Sequence, residues 1–426
     1  MKKTLLLSVV ASTMIMAGGD IAPVEPVVET PAPVAVADTG WDFNGQGVVY
    51  YQTTDGNGNG SLFDQGPKDS TSGQAAAGAG IQLNATNKDV IAGIGAGVTL
   101  NAISSLGLHR EVVSGLVQNA GGTTDGLTGG ALSQAFLTYG MGNTSLKVGR
   151  QYLPKSLSPF AFSEGWNMFK NSFDAVLVVN SDVPDTTLVG AYVTRANNSL
   201  GNLNDFNRIQ GGDGTAMFTA QNKSIDGLTL TGTFYNVFDV AQSGKDAQAL
   251  WGDAKFALGD YSIALQGGQI GGDAVSDDTT AYGAKIAGNF GMFDASVAYS
   301  SVDDGTLDIA NIAGSGVKTP LYTQAILNQN TIKRASDTFK VAVGAKALGG
   351  KFGVYYVNSD LDKTAHASVL GTGAKDAGTY QEIALTYKAK VTDNATVFAA
   401  FVNQNDDRQG AEDAQNFFRV WGRYNF

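Results

Sequence analysis

A transmembrane antiparallel β-barrel of about 18 strands, all-β, with short turns at one end and long loops at the other, is the fold class this sequence predicts. Three observations point there. From Trp41 onward apolar and polar residues alternate with a period of two, the mark of strands with one apolar and one polar face. Short turns rich in Gly, Asn and Asp alternate strictly with long polar segments. Only 16% of the 426 residues are charged and 55 are Gly, against about 25% charged and about 7% Gly in soluble domains.

The same composition excludes several chemistries. With no Cys there is no disulfide framework, thiolate metal site or cysteine nucleophile. The two His, His109 and His366, cannot build a three-histidine zinc site and neither lies in an HExxH spacing. A serine hydrolase at a barrel rim needs a His beside its Ser. Both His fall in long loops without an organised acid, and no GxSxG elbow occurs. An enzyme is therefore not expected. The formal charge of −11 argues against nucleic acid, which wants a clustered basic face.

Met1-Lys2-Lys3, a short apolar stretch to Met16 and the small residues Ala17-Gly18-Gly19 have the layout of a secretory signal peptide, expected over 1–17. A Pro-rich periplasmic spacer is expected over 18–40. Its segment 21–39 holds four of the nine prolines and no aromatic residue, which favours extended chain over packing. The barrel is expected over 41–426.

A first strand at 41–52 is followed by eight hairpins. Their turns are expected at Asn87 to Asp89, Gly140 to Asn143, Ser181 to Asp185, Lys223 to Gly227, Gly259-Asp260, Gly288 to Gly291, Leu348 to Gly350 and Thr392 to Asn394. Nine longer segments lie between them, near 53–74, 102–130, 152–172, 197–213, 239–246, 271–280, 302–337, 359–378 and 405–416. With a last strand at 417–426 the pattern makes about 18 strands of the length a tilted strand needs to cross a bilayer, with long loops outside and both ends on the periplasmic side. Helical periodicity is nearly absent; a short helix at Leu321 to Lys333 is the exception expected. Tyr139, Phe173, Tyr192, Phe234, Tyr261, Tyr299, Phe401, Tyr424 and Phe426 lie near strand ends, as interfacial girdles require. Tyr424 and Phe426 also form the terminal signature of inserted barrels. Gly93, Gly95 and Gly97 sit within a strand pattern with no following helix, so they are read as wall glycines rather than a phosphate loop.

A barrel this wide encloses water, and what narrows it decides its function. Segment 151–173 contains two prolines, four Phe and one Trp. So apolar a loop is expected to fold inward, with Lys147, Arg150, Lys155, Glu164, Lys170 and Asp174 lining the constriction. Parity assigns Arg195, Lys255, Lys285, Lys340, Lys346, Arg419 and Arg423 to the lumen wall, because a charge on the lipid face costs about 2–4 kcal/mol at midplane. Acidic loop residues such as Asp303, Asp304, Asp308, Asp406 and Asp407 set against this basic wall give a transverse field and an expected weak cation preference. Asp55, Asn57 and Asn59 open a D-x-N-x-N-G run resembling half of a calcium loop. Position twelve is Gly66 and no helices flank it, which favours a plain turn over bound calcium. No other cofactor is implied.

Val148-Gly149-Arg150-Gln151 before a proline-bearing loop, the returning Phe173-Asp174-Ala175-Val176-Leu177, the segment Asn222 to Leu230 and the closing Arg423-Tyr424-Asn425-Phe426 resemble major outer membrane porins of the Campylobacter type. The loop after Gln151 also resembles OprD-type porins. The resemblance implies an 18-stranded, usually trimeric barrel of the Gram-negative outer membrane that passes ions and small hydrophilic solutes, with an inward loop as constriction. Its partners would be outer membrane lipid and lipopolysaccharide, and the outer membrane assembly machinery. OprD-type members guide carboxylates along arginine ladders; Arg150, Arg195, Arg419 and Arg423 are too scattered in sequence to claim one. Two alternatives stand beside the passive porin: a channel specific for small organic acids, and an adhesin or structural barrel whose loops 102–130 and 302–337 bind a partner.

Overall fold

The computed structural model describes residues 40–56, 61–64, 75–108, 113, 115–121, 129–313, 318–363, 376–408 and 414–426. The expected signal peptide and all but the end of the spacer lie outside the described residues, as do His109, His366, Asn57 and Asn59.

Eighteen long strands follow one another. They are β1 Asp42–Thr54, β2 Ala75–Ile91, β3 Ile94–Ser104, β4 Gly129–Met141, β5 Thr144–Gln151 and β6 Phe173–Asn180. Then come β7 Thr186–Ala196, β8 Gly214–Asn222, β9 Leu228–Phe238, β10 Ala247–Leu258, β11 Tyr261–Gly271 and β12 Thr279–Phe290. The last six are β13 Phe293–Val302, β14 Ser336–Ala347, β15 Gly350–Leu361, β16 Gly378–Lys390, β17 Ala395–Asp406 and β18 Gln415–Asn425. Each pairs antiparallel with its neighbour in sequence, and β1 pairs with β18 from Gln46↔Asn425 to Thr54↔Phe417. The sheet closes on itself, so no long strand has a free edge. The two-residue strand Asn207–Arg208 adds to the rim beside β7.

Alternation separates the faces. Ile81, Leu83, Val98, Leu100, Val176, Val178, Leu250, Leu265 and Ile286 stand exposed outside, as a surface meant for lipid does. Their neighbours Gln82, Thr99 and Asn101 are buried inside. Tyr139, Tyr192, Tyr261, Tyr299, Phe401, Tyr424 and Phe426 are exposed, whereas Phe173 is fully buried inside the barrel and is no girdle residue. Gly97 faces inward against the ring of Phe136, which leaves the ring room to carry Lys147 Nζ at 3.7 Å.

The eight short connections fall between the long strands; two differ from expectation by one residue at one end, Leu348-Gly349 and 391–394, and three differ by more. The first turn is Ala92-Gly93, not Asn87 to Asp89. Ala92 and Gly93 have φ of 54° and 79°, the two left-handed positions of a type I′ turn. Asp89 draws the turn there by accepting a hydrogen bond from Gly93 N at 2.8 Å. Likewise the turns expected at Gly140 to Asn143 and Gly288 to Gly291 close at Gly142-Asn143 and Gly291-Met292. The helix expected at Leu321 to Lys333 is absent: only a 3-10 turn, Asn328–Asn330, forms there. Its polar residues bond locally instead, with Asn328 Oδ1 accepting from Ala325 N at 2.7 Å and Gln324 Oε1 from Thr319 N at 2.9 Å.

Buried apolar side chains lie inside the barrel in two large clusters, both built from inward wall residues and loop residues. The loops therefore supply much of the interior packing.

Candidate functional site

The third long loop, 152–172 and hereafter L3, supplies the largest share. Its residues from Leu157 to Phe169 are all buried. Phe160 meets Tyr235 of β9 and Trp251 of β10 edge-on, with centroids 5.6 and 5.2 Å away. Six residues later Trp166 meets Phe398 of β17 edge-on at 5.9 Å, and Phe398 stacks on Trp421 of β18 at 5.2 Å. Strands β9–β10 and β17–β18 lie eight positions apart around an 18-stranded ring, nearly opposite each other. L3 thus reaches across the interior.

Two other loops hold it. Of the seventh, 303–335 and hereafter L7, the described stretches 305–313 and 318–328 also lie inside. Ile312 N donates to Phe160 O at 2.7 Å and Asn311 Nδ2 to Phe162 O at 2.6 Å. From the second long loop, the buried Gln118 donates to Phe169 O and Ser199 O and accepts from Phe169 N, each at 2.8 Å. These amide bonds satisfy a backbone that could not stay buried unpaired.

Charged groups converge where L3 meets the wall. Glu164 is 5% exposed, and its Oε2 accepts from Trp166 N at 2.8 Å. Burial pushes its carboxyl above the usual carboxylate range, against the pull of Lys318, of the Ser199 and Trp166 hydrogen bonds, and of Arg419. Lys318 of L7 lies over the Trp166 ring at 5.5 Å. On β18, Arg419 donates to Trp166 O at 2.8 Å and Gln52 Oε1 at 2.6 Å, and stacks on Trp166 at 4.0 Å. Two steps along the same face, beyond Trp421, Arg423 donates to Asn167 O at 2.8 Å and Gln46 Oε1 at 2.9 Å. Both β18 arginines therefore grip the backbone of L3. Lys155 sits over Phe162 at 5.3 Å and Lys170 over Tyr152 at 5.9 Å.

The other expected wall residues are placed as follows. Lys255 faces inward, paired with Asp253 at 3.3 Å, and Asp253 accepts from Tyr322 of L7. Lys285 and Lys340 are buried inside, and Lys340 donates to Gln324 O of L7. Lys346 is exposed near the short-turn end.

Three expected pore residues point the other way. Arg150 and Asp174 share the outward parity of Val148 and Val176. They form an ion pair at 2.8 Å on the outer rim, with the guanidinium stacked 3.4 Å from the Phe206 ring centre. Lys147 and Arg150 differ by an odd number of positions, so without a bulge between them they cannot share a face. Arg195 would face inward by simple alternation. A bulge that pairs Ala175 with Val193 but Asp174 with Arg195 skips Thr194, and Arg195 joins the outer rim instead. Asp55, from the calcium-like run, accepts from Asn416 N and from Asn416 Nδ2 at 2.7 Å, pinning β1 to β18. Among the described residues no cluster of acids and histidines with metal-binding spacing occurs.

Sequence reasoning missed Glu382, Lys318, Lys351, Lys388 and Asp294, all of which face inward. Alternation marks Glu382, Lys351, Lys388 and Asp294 as inward; no pattern marks Lys318, which only the path of L7 brings inside.

A closed 18-stranded barrel with an apolar exterior and loops folded into its interior is the architecture of a membrane-spanning β-barrel. Solved outer membrane structures share this fold. Pseudomonas aeruginosa OccD3 (OpdP) matches with a TM-score of 0.70 at 14% identity, over 95% of this chain and 97% of that one. Pseudomonas aeruginosa OccK8 (OprE) matches at 0.69 and 16%, over 91% and 98%, and Acinetobacter baumannii OccAB3 at 0.67 and 14%, over 91% and 99%. At these identities the likeness is one of fold. No family model matches the chain, and no curated protein matches it.

Proposed function

We propose that the chain is an outer membrane porin, a water-filled channel for passive diffusion of ions and small hydrophilic solutes, narrowed by L3 and L7. One observation carries this reading: L3 spans from β9–β10 to β17–β18 inside a closed barrel, so a solute must pass beside it. Purified protein in planar bilayers gives ohmic single-channel steps on this reading. A protein that inserts but stays silent sinks it and favours the adhesin or structural barrel.

A second reading, a channel specific for small organic acids, has its own support. Lys346 pairs with Lys351 and Lys351 with Lys388 across β14, β15 and β16, which sets three cations in one inward row on the wall that also carries Arg419 and Arg423. Among the described residues only Lys351 of the three has an acid at hand, Asp294 at 2.7 Å. A related fold, Pseudomonas aeruginosa OpdK, has been solved with vanillate. Block of the potassium chloride current by aromatic and aliphatic carboxylates separates the two readings, since a general porin is indifferent to them at millimolar concentration.

The leader at 1–17, the spacer at 18–40 and a homotrimer complete the proposal. The N-terminus of protein from outer membrane fractions and chemical cross-linking test them. Affinity to the Campylobacter-type porins rests on the quoted segments alone.

A further inference from the structure

The most buried acid in the barrel wall is Glu382 of β16, at 0% exposure. Burying a carboxylate is costly unless its lone pairs are filled, and here they are filled mainly by a loop. Glu382 Oε1 accepts from Ile326 N at 2.8 Å and Oε2 from Leu327 N at 3.0 Å. Tyr380 of the same strand adds its hydroxyl to Oε2 at 2.9 Å. Two strands away, Lys340 Nζ donates to Gln324 O of the same loop stretch. Two wall charges of opposite sign thus hold three consecutive peptide groups around residues 324–327.

That stretch is a rigid unit. Gln324 Nε2 donates to Asn328 Oδ1 at 2.9 Å, Asn328 Nδ2 to Thr323 O at 3.0 Å, and Gln324 Oε1 accepts from the N–H and hydroxyl of Thr319. Ile326 belongs to the same buried apolar cluster as Trp166, Met168, Ala384 and Phe398, so the unit shares its packing with the part of L3 that carries Glu164. A carboxylate offers acceptors only, and charge-assisted bonds to it are stronger than neutral ones. An amide in its place has one acceptor and presents an N–H₂ to the second backbone N–H.

The geometry points to Glu382 as the positioning residue of the channel: with Lys340 it latches L7 to the wall, and the latch sets the width of the path beside L3. This rests on the channel reading, deepening it by naming what fixes the aperture.

The test uses the full-length protein in Glu382→Gln, Tyr380→Phe and Lys340→Gln forms. The chain has no Cys, so Leu327→Cys placed in each background reports on L7 through its rate of labelling by a membrane-impermeant thiol reagent. Breaking one charge-assisted bond to L7 is expected to speed labelling about tenfold in Glu382→Gln. Current is expected to flicker between two levels, while the mobility shift of the folded barrel on unheated gels stays unchanged. Tyr380→Phe keeps both bonds to L7 and is expected to label close to the wild-type rate. Should Glu382→Gln fail to insert, Lys340→Gln reads the same latch from its other anchor. Unchanged labelling in both charge variants overturns the latch, as does equal acceleration by Tyr380→Phe, which would mark a general packing effect. A silent wild type fails the channel reading instead, and the labelling arm still decides the latch.

Discussion

At the scale of single residues, Glu164 is the side chain whose chemistry is most exposed to test. Its carboxyl is held above the usual range chiefly by burial. The folded protein therefore keeps the proton over a pH window in which the unfolded chain has lost it, and stability falls as pH rises through that window. Acidification through the same window removes a negative charge from L3 itself. On the proposed function, cation preference is then expected to weaken on acidification, and Glu164→Gln is expected to show the weakened preference at all pH values. Reversal potentials under a salt gradient at several pH values check this. Arg150→Ala and Asp174→Ala act on the outer rim, so neither is expected to move the reversal potential. A shift in either would put the pair back in the pore. Why Lys255 and Lys285 were legible as inward while Arg195 was not is a matter of bookkeeping along a strand. Alternation carries a residue's face forward only until a bulge, and Thr194 has no feature in the sequence that announces one.

At the scale of elements, the strands were readable because their period is imposed by two solvents, lipid and water. Their turns slipped by up to a few residues. The strongest-looking turn letters, Asn87-Lys88-Asp89, lay inside an extended strand whose Asp89 caps the true turn. L3 was legible as an inward loop because its own apolar side chains need cover. L7 was not, because its apolar residues are spread thinly along a polar segment and its latch to the wall is made by backbone groups, which leave no letter in a sequence. Phe160 is the anchor where L3 meets β9 and β10, with its ring against Tyr235 and Trp251. Phe160→Ala is expected to cost about 3–5 kcal/mol of local packing and to raise single-channel conductance by freeing that end of the loop. Chemical unfolding and bilayer recordings read the two effects separately.

At the scale of the whole molecule, eighteen strands were countable because short and long connections alternate; the length of each strand matters less to the count than the order of its turns. The closing seam completes that count. Gly45 N donates to Phe426 O at 2.8 Å, and Phe426 N returns a bond to Gly45 O at 3.0 Å. A Cβ on Gly45 would lie 2.8 Å from the Phe426 ring. Gly45→Val is therefore expected to cost about 1–3 kcal/mol through overpacking and to lower the fraction of protein that shows the folded-barrel gel mobility. The seam also has a consequence in time. Gln46 finds its partner at Asn425, almost a full chain length away, and contacts so distant form late and slowly. Until they form, β1 and β18 are both sticky ribbons with unpaired amides, and an apolar outer face has no lipid to meet. The protein's most dangerous interval is thus the one before its ring is complete, and keeping that interval safe is work the finished barrel no longer needs done.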